Sequence, residues 1–229
     1  LNRRWFSACL AAVLLLPAMS PGVSHAGAFE DFFLAIKFDD ENRLRALLLR
    51  GMDPNTVNEQ GFPALVFAMM QDSPNAVRVL LSSNKLDPDQ PDPRGETPLM
   101  VACTLNKPEW VSALLRKGAK QGADGQWTPL HNAAAAGSST AIELLVKAGG
   151  NINVLSPNDT TPLMMAAREG RETAARALLK LGANPALTNQ AGYNAAGYAM
   201  KAQRQELAFE IMKKEKALRK APLKPSPGN

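Results

Sequence analysis

The sequence predicts an all-α protein in which about six helix pairs stack side by side into a solenoid. A similar segment returns about every 33 residues along the 229-residue chain, which is typical of stacked repeats. Proline opens several of these segments and glycine ends many of their helices, as expected for short capped helices. Aromatic residues make up only 6% of the chain, so helices rich in Ala, Leu and Met should form the core.

The repeats align on the position that precedes the first helix of each unit. In three units this residue is a threonine followed by proline. The proline fixes φ near the helical value and lacks the N–H that a first turn cannot use, so the threonine should cap a helix. The six equivalent positions, at spacings of 33, 34, 31, 33 and 33 residues, are Glu30, Pro63, Thr97, Thr128, Thr161 and Asn194.

The rest of each unit predicts a turn, a second helix and a loop. Gly137 and Gly170 should end their first helices at positive φ, a position that Asp39, Asp72 and Asn106 take in the earlier units. The loops that follow the second helices are rich in Asn, Asp, Pro and Gly, which favour turns. The second helices should direct paired leucines into one continuous core: Leu114-Leu115, Leu144-Leu145 and Leu178-Leu179.

Three of these helix starts resemble the ankyrin repeat: Thr97-Pro98-Leu99-Met100, Thr128-Pro129-Leu130-His131 and Thr161-Pro162-Leu163-Met164. The resemblance covers about residues 28–216, and we place the repeat domain at residues 27–216. It implies an ankyrin-repeat solenoid with projecting hairpin-like fingers. It also implies that partners bind a concave surface formed by the finger tips and the exposed sides of the first helices.

Some units depart from the pattern. Units one and six lack the Thr-Pro start, as terminal units with one face toward water often do. The segment 87–93 is rich in Asp and Pro and follows an extra residue, so we expect the finger before Gly95 to protrude. Unit three is two residues short, so we expect the finger before Thr128 to be trimmed back.

Residues 1–26 resemble a cleavable bacterial signal peptide. Arg3 and Arg4 give a positive start, residues 8–16 are apolar, and Ser24-His25-Ala26 offers small residues for cleavage. The apolar run is about half the ~20 residues that span a bilayer, so a permanent anchor is the weaker alternative. The paired arginines also leave open a twin-arginine route, although the general secretory (Sec) route is favoured. Cys9 lies at the start of the apolar run, whereas a lipid-modified cysteine should follow such a run, so the sequence does not indicate a lipoprotein.

Cleavage after residue 26 would change the charge and the cysteine content. The formal net charge would fall from +5 to +3, because 24 basic residues would remain against 21 acidic ones. A charge this small does not indicate a nucleic-acid partner. Cys103 would be the remaining cysteine, so an internal disulfide would be impossible. We expect a periplasmic monomer without stable membrane insertion.

The C-terminal residues 217–229 predict a basic, proline-rich, disordered tail. The last helix should run into the charged segment that begins at Lys213. Basic residues are favourable near a helix C-terminus, so a solvated helix end is preferred over a site for an acidic partner or a membrane surface.

The sequence offers little catalytic chemistry. No phosphate-binding loop, dinucleotide fingerprint or paired-cysteine metal motif is present, and we expect no cofactor or metal. The resemblance implies that His131 makes a structural hydrogen bond, and Cys103 replaces an alanine at a core position. A small enzyme or redox protein built on His131 or Cys103 is the alternative hypothesis. The main prediction is a non-enzymatic module that binds a folded protein, either as a helper of an exported enzyme or as a neutraliser of an effector.

The predicted partner-binding surface centres on the residue before each first-helix start. These residues are Phe62, Glu96, Trp127, Thr160 and Tyr193, and three of the five are aromatic. Trp and Tyr often anchor interfaces, yet each ring could instead pack on the neighbouring finger. The two alternatives stay open for Trp127 and Tyr193, whereas packing is favoured for Phe62. The same surface should include Arg94 and Asn158 on the fingers, and Leu105, Arg168 and Lys201 at the ends of first helices.

Overall fold

A computed structural model describes residues 25–220, and these residues form the all-α solenoid that the repeats predict. Six helix pairs follow one another, with no strand in this part of the chain apart from one bridge between Val57 and Pro63. The pairs are α1 (His25–Lys37) with α2 (Glu41–Leu49), α3 (Ala64–Met70) with α4 (Pro74–Ser82), α5 (Pro98–Thr104) with α6 (Pro108–Arg116), α7 (Pro129–Ala136) with α8 (Ser139–Lys147), α9 (Pro162–Arg168) with α10 (Glu172–Lys180), and α11 (Ala195–Lys201) with α12 (Gln205–Lys220).

The threonine caps hold α5 and α9 at their first turns. The hydroxyl oxygens of Thr97 and Thr161 accept hydrogen bonds from the backbone N–H groups of Met100 and Met164, at 3.3 and 3.2 Å. Pro98 and Pro162 follow in the first turn, as the sequence predicts. These contacts satisfy backbone donors that a helix start would otherwise leave unpaired.

A left-handed residue ends each first helix and fixes the register of the second. Gly137 and Gly170 have φ of 86° and 63°, as predicted. The same position has positive φ in the other units although its residue is not glycine, and the values at Asp39, Asp72, Asn106 and Gln203 lie between 52° and 59°. Asp and Asn tolerate this conformation better than most residues. The shared turn lets second-helix positions be compared across all six units.

The core runs continuously through the stacked units. First helices pack on first helices, as α5 does on α7 and α7 on α9, and second helices line up in the same way. Leu114, Leu145 and Leu178 are fully buried, which confirms their predicted direction. Leu115 and Leu144 are only partly buried and pack against the edge of that core.

The two ends of the sequence fall partly outside the described residues. Most of the predicted signal segment, residues 1–24, lies there, and so do residues 221–229 of the predicted tail. Helix α12 continues to Lys220, so residues 217–220 are helical and the boundary of the helical domain moves from 216 to 220. An ion pair between Arg219 and Glu215 one turn earlier supports this extension. Among the described residues, no helix is both long and apolar enough to cross a membrane.

Candidate functional site

A groove of about 1080 Å³ opens on the concave side of units three to five. Finger residues on either side of Gly95 and Gln126 form one wall. The first helices α5, α7 and α9 form the floor, where Met100, Asn132 and Met165 contribute. The groove joins fingers to first helices and is larger than the openings beside Lys180, of about 550 Å³, and beside Gln121, of about 290 Å³.

Trp127 lines this groove and is 42% exposed. Its ring meets the edge of the His131 ring at 5.3 Å between centroids, with an angle of 80° between the planes. Such an edge-to-face contact fixes the orientation of an aromatic side chain. The indole is therefore packed on one side and accessible on the other, which combines the two alternatives that the sequence leaves open.

Arg94 is held in place by two carboxylates. Its Nη2 atom lies 2.8 Å from Asp92 Oδ2 and 2.8 Å from Glu96 Oε2. Asp92 is buried, which by itself would raise its pKa. The Arg94 guanidinium and the backbone N–H groups of Glu96 and Arg94 outweigh burial and lower the pKa of Asp92. The finger thus presents Arg94 and Glu96 to the groove in a fixed arrangement.

The rest of the groove lining carries more positive charge. Arg168 pairs with Glu169 at 3.0 Å, and Lys120 lies 4.0 Å from Asp89. Arg171 Nε instead donates to the backbone carbonyl of Ala135 at 2.9 Å. The lining as a whole has four basic residues against two acidic ones.

His131 is buried and both of its ring nitrogens are occupied. The backbone N–H of Thr128 donates to Nδ1 at 3.2 Å, so Nδ1 is the acceptor and Nε2 carries the proton that is donated to the Thr160 carbonyl at 2.9 Å. The second bond joins unit four to unit five. Burial lowers the pKa of His131, which favours the neutral ring. The chemistry of His131 is thus used to connect neighbouring units.

Cys103 lies inside the core with no exposed surface. Burial raises the pKa of its thiol to about 12, so the reactive thiolate is strongly disfavoured at neutral pH. Among the described residues, no group of three or more His, Cys, Asp or Glu side chains is placed to hold a metal ion. None of these observations favours the alternative hypothesis of a reaction at Cys103 or His131.

The structure brings together some of the predicted partner-binding residues and separates others. Arg94, Glu96, Trp127 and Arg168 all line the groove. The other predicted residues lie outside it. Of these, Phe62 packs against the core, Leu105 and Asn158 are exposed, and Tyr193 and Lys201 meet on unit six, where the ammonium lies 4.5 Å from the ring centroid.

The prediction that the side chain of Thr160 faces outward is wrong. Its side chain has no exposed surface, because its backbone carbonyl accepts from His131 and its hydroxyl accepts from Asn189. The position before the first helix faces outward only where the neighbouring finger does not cover it.

Several groove residues were missed by the sequence reasoning. Arg171 lies directly after Gly170, a position that puts it at the groove wall. Met100 and Asn132 line the floor from α5 and α7, one turn after the helix starts. The repeat alignment could have identified these positions, because it gives the side of each first helix that faces the groove.

Comparison with known proteins agrees with this architecture. A family model described as ankyrin repeats (3 copies) matches residues 32–125 and 119–189. The chain is 31% identical over 117 residues to human transient receptor potential cation channel subfamily A member 1, which covers 50% of the chain and 10% of that protein. It is 32% identical over 124 residues to glycerophosphocholine phosphodiesterase gde1 of Schizosaccharomyces pombe, covering 52% of the chain and 11% of the relative.

A third relative matches with higher identity over a shorter segment. Human ankyrin repeat and SOCS box protein 11 is 40% identical over 75 residues, which covers 32% of the chain and 23% of that protein. The chain thus spans between a tenth and a quarter of the length of these three relatives. What they share with it is the repeat itself, and the family model covers well over half of the chain. The chain belongs to the ankyrin-repeat family.

Proposed function

We propose that this chain is a non-enzymatic binding module that holds a folded protein partner in the groove of units three to five. Ankyrin-repeat domains are generally interaction modules without enzymatic activity, and the functional argument rests on the groove because one fold serves many partners. The observation that supports the proposal most directly is Trp127, a half-exposed and oriented indole among charged side chains. Tryptophan and arginine are the residue types that most often dominate binding energy at interfaces.

The charges of the groove favour a partner surface of mixed polarity. Arg94 and Glu96 stand on one wall, while Lys120, Arg168 and Arg171 give an excess of positive charge. A protein segment with an apolar side chain for Trp127 and carboxylates for the basic side chains would match this arrangement. The methionines of the floor can adapt to the shape of such a segment.

Residues 1–26 support a further part of the proposal, which is export. We place the mature protein in the bacterial periplasm after signal cleavage, with the Sec route preferred over the twin-arginine route. A helper of an exported enzyme and a neutraliser of an effector are the two roles consistent with this location. Cell fractionation with N-terminal sequencing tests the placement, and an uncleaved Arg3-Arg4 start in the cytoplasm would contradict it.

The binding proposal has a matched pair of variants for its test. Trp127 and Tyr193 occupy the same position in units four and six, are 42% and 36% exposed, and only Trp127 lines the groove. Periplasmic extract is passed over the wild type, Trp127→Ala and Tyr193→Ala proteins, and retained partners are quantified by mass spectrometry.

We expect Trp127→Ala to lose a partner that Tyr193→Ala retains. Calorimetric titration with that purified partner should then show affinity weakened by tenfold or more, as for loss of an interface anchor. Equal recovery by all three proteins would reject the groove as the binding site. Circular dichroism of each variant confirms that the solenoid is intact.

A further inference from the structure

The C-terminal end of the solenoid exposes a position that every other unit buries. In unit six this position is Met200 on α11, which is 52% exposed. In interior units the side chain at this position lies in the continuous core. The equivalents in units one to five, each no more than 1% exposed, are Ile36, Met69, Cys103, Ala134 and Ala167.

Helix α12 adds a second such side chain to this end. Met212 is 41% exposed, whereas its equivalent in unit five, Leu179, is 8% exposed. Phe209, three residues before Met212, is 71% exposed too, but its equivalents Glu143 and Arg176 are exposed in interior units, so it does not mark the open side. We call Met200 and Met212 the C-terminal apolar patch.

The surroundings of the patch are strongly basic. Residues 194–220 contain seven basic residues and three acidic ones, a difference of +4. Two of the three acidic residues are already engaged, since Glu210 pairs with Arg176 and Glu215 with Arg219. Lys216 stands one turn after Met212 on the same side of α12, whereas Lys213 lines the opening between α12 and α10. An approaching surface therefore meets apolar side chains beside the positive charge of Lys216.

From this combination we infer that the C-terminal apolar patch docks an acidic amphipathic helix of a partner protein. A helix fits because α11 and α12 present the side against which a further helix pair would stack in a longer solenoid. Acidic residues beside its apolar stripe would match Lys216. Methionine side chains suit this task, because they adapt to varied apolar surfaces.

A second copy of the chain is a poorer occupant of the patch. Two C-terminal ends facing each other would bring two surfaces of like charge together. Among the described residues, the position on α2 that would stack outward at the N-terminal end holds Arg43, paired with Asp31, and so presents a charged side chain there. A partner helix of opposite charge avoids both problems.

The test uses the purified protein and three fluorescein-labelled 18-residue peptides. The first has leucines at the i, i+3, i+4 and i+7 spacing with glutamates beside them. The second carries lysine for every glutamate, and the third is a scrambled form of the first. Fluorescence anisotropy should show the acidic peptide binding at least tenfold more tightly than either of the other two.

Two sets of variants locate the binding. The Met200→Ser/Met212→Ser double variant should weaken binding of the acidic peptide at least tenfold. Met70→Ser, a control at a methionine 44% exposed on α3, should leave it within twofold. The charge-reversing variant Lys216→Glu should shift the preference toward the lysine peptide. Trp127→Ala should bind the acidic peptide as the wild type does, which separates this proposal from the groove.

Three outcomes would overturn the inference. Equal binding of the acidic and lysine peptides would remove the role of charge. An equal loss in Met70→Ser would show that binding is not confined to the patch. Concentration-dependent dimerisation of the wild type in light scattering, abolished by Met200→Ser/Met212→Ser, would make a second copy the occupant. Melting curves followed by circular dichroism confirm that each variant is folded.

Discussion

The first and last units of the described solenoid each have a side that no other described unit covers, and the two sides differ. At the fourth residue after the left-handed turn, unit one has Arg43, whose side chain is 44% exposed and pairs with Asp31. Unit six instead leaves Met200 exposed. The residues equivalent to Arg43 in the other five units are at most 5% exposed: Ala76, Trp110, Ala141, Ala174 and Leu207.

Two other exposed apolar residues of unit one, Phe38 and Leu49, do not mark an open end. Phe38 is 72% exposed, yet its equivalents Leu105 and Glu169 are exposed as well. Leu49 is 88% exposed at a position where Lys180 is exposed too. These positions face water in interior units, so their exposure does not depend on a missing neighbour. An uncovered end is therefore recognised by exposed side chains at positions that are buried in all the other units.

The largest expected effect comes from replacing methionine by alanine at two equivalent positions, one inside the solenoid and one at its C-terminal end. Met69 is 1% exposed and Met200 is 52% exposed. Met69→Ala should lower the free energy of unfolding by about 2–5 kcal/mol, because it leaves a cavity. Met200→Ala should lower it by less than about 1 kcal/mol, as for most surface changes. Urea denaturation measures both, and similar losses would show that the C-terminal end is as tightly packed as the interior.

A second prediction concerns the hydrogen bond that joins interior units and has no counterpart at the C-terminal end. His131 bonds to the Thr160 carbonyl, whereas Gly197 occupies the histidine position in unit six. Burial lowers the pKa of His131 below its unfolded value of about 6.5. The stability that neutral His131 provides is present above pH ~6.5 and is lost as pH falls through the lower folded-state pKa.

Urea denaturation between pH 7.5 and 5.5 checks this prediction. The free energy of unfolding of the wild type should fall with decreasing pH by up to about 1.4 kcal/mol per pH unit, the limit for one proton. His131→Gln should be less stable at pH 7.5 and should show a flatter profile over this range. Parallel profiles for the two proteins would contradict a buried neutral histidine.

The fold was predictable because its signals recur. The Thr-Pro starts, the left-handed turns and the paired leucines are local features, and each is repeated in several units, so errors in one unit did not affect the others. The structure confirms the caps at Thr97 and Thr161 and the positive φ at Gly137. The end of α12 was harder to place, because charged helix formers such as Lys216 and Arg219 resemble a solvated tail.

The candidate site was predictable only in part. The repeat alignment gives the side on which Arg94, Glu96, Trp127 and Arg168 stand, and these four line the groove. It does not say which outward positions the next finger covers, which is why Thr160 was misplaced. Covering depends on contacts between units about 30 residues apart, and those contacts follow from loop conformation and not from the local sequence.

A third prediction removes the polar cap of the N-terminal end. Arg43→Leu breaks the pair with Asp31 and puts an apolar side chain where a further unit would stack. The free energy of unfolding should change by less than about 1 kcal/mol, because the pair is nearly half exposed. Fluorescence of the dye ANS and the tendency to associate in light scattering should both rise. Met200→Lys, the matched change at the other end, should lower ANS fluorescence. Lower ANS fluorescence for Arg43→Leu and higher ANS fluorescence for Met200→Lys would show that the N-terminal end, and not the C-terminal end, is the one that exposes apolar surface.

The smallest expected effect is the contact between Lys201 and Tyr193 on the open C-terminal unit. The Lys201 ammonium lies 4.5 Å from the centroid of the Tyr193 ring, and the tyrosine is 36% exposed. A cation–π contact at such a site contributes about 0.5–1 kcal/mol. A double-mutant cycle with Lys201→Met and Tyr193→Leu, followed by urea denaturation, should give a coupling free energy in that range. The Tyr193 ring packs against Lys201, and the Trp127 ring packs against His131. A coupling free energy of zero would mean that Lys201 does not hold the Tyr193 ring. That ring would then be as accessible to a partner as the Trp127 ring is.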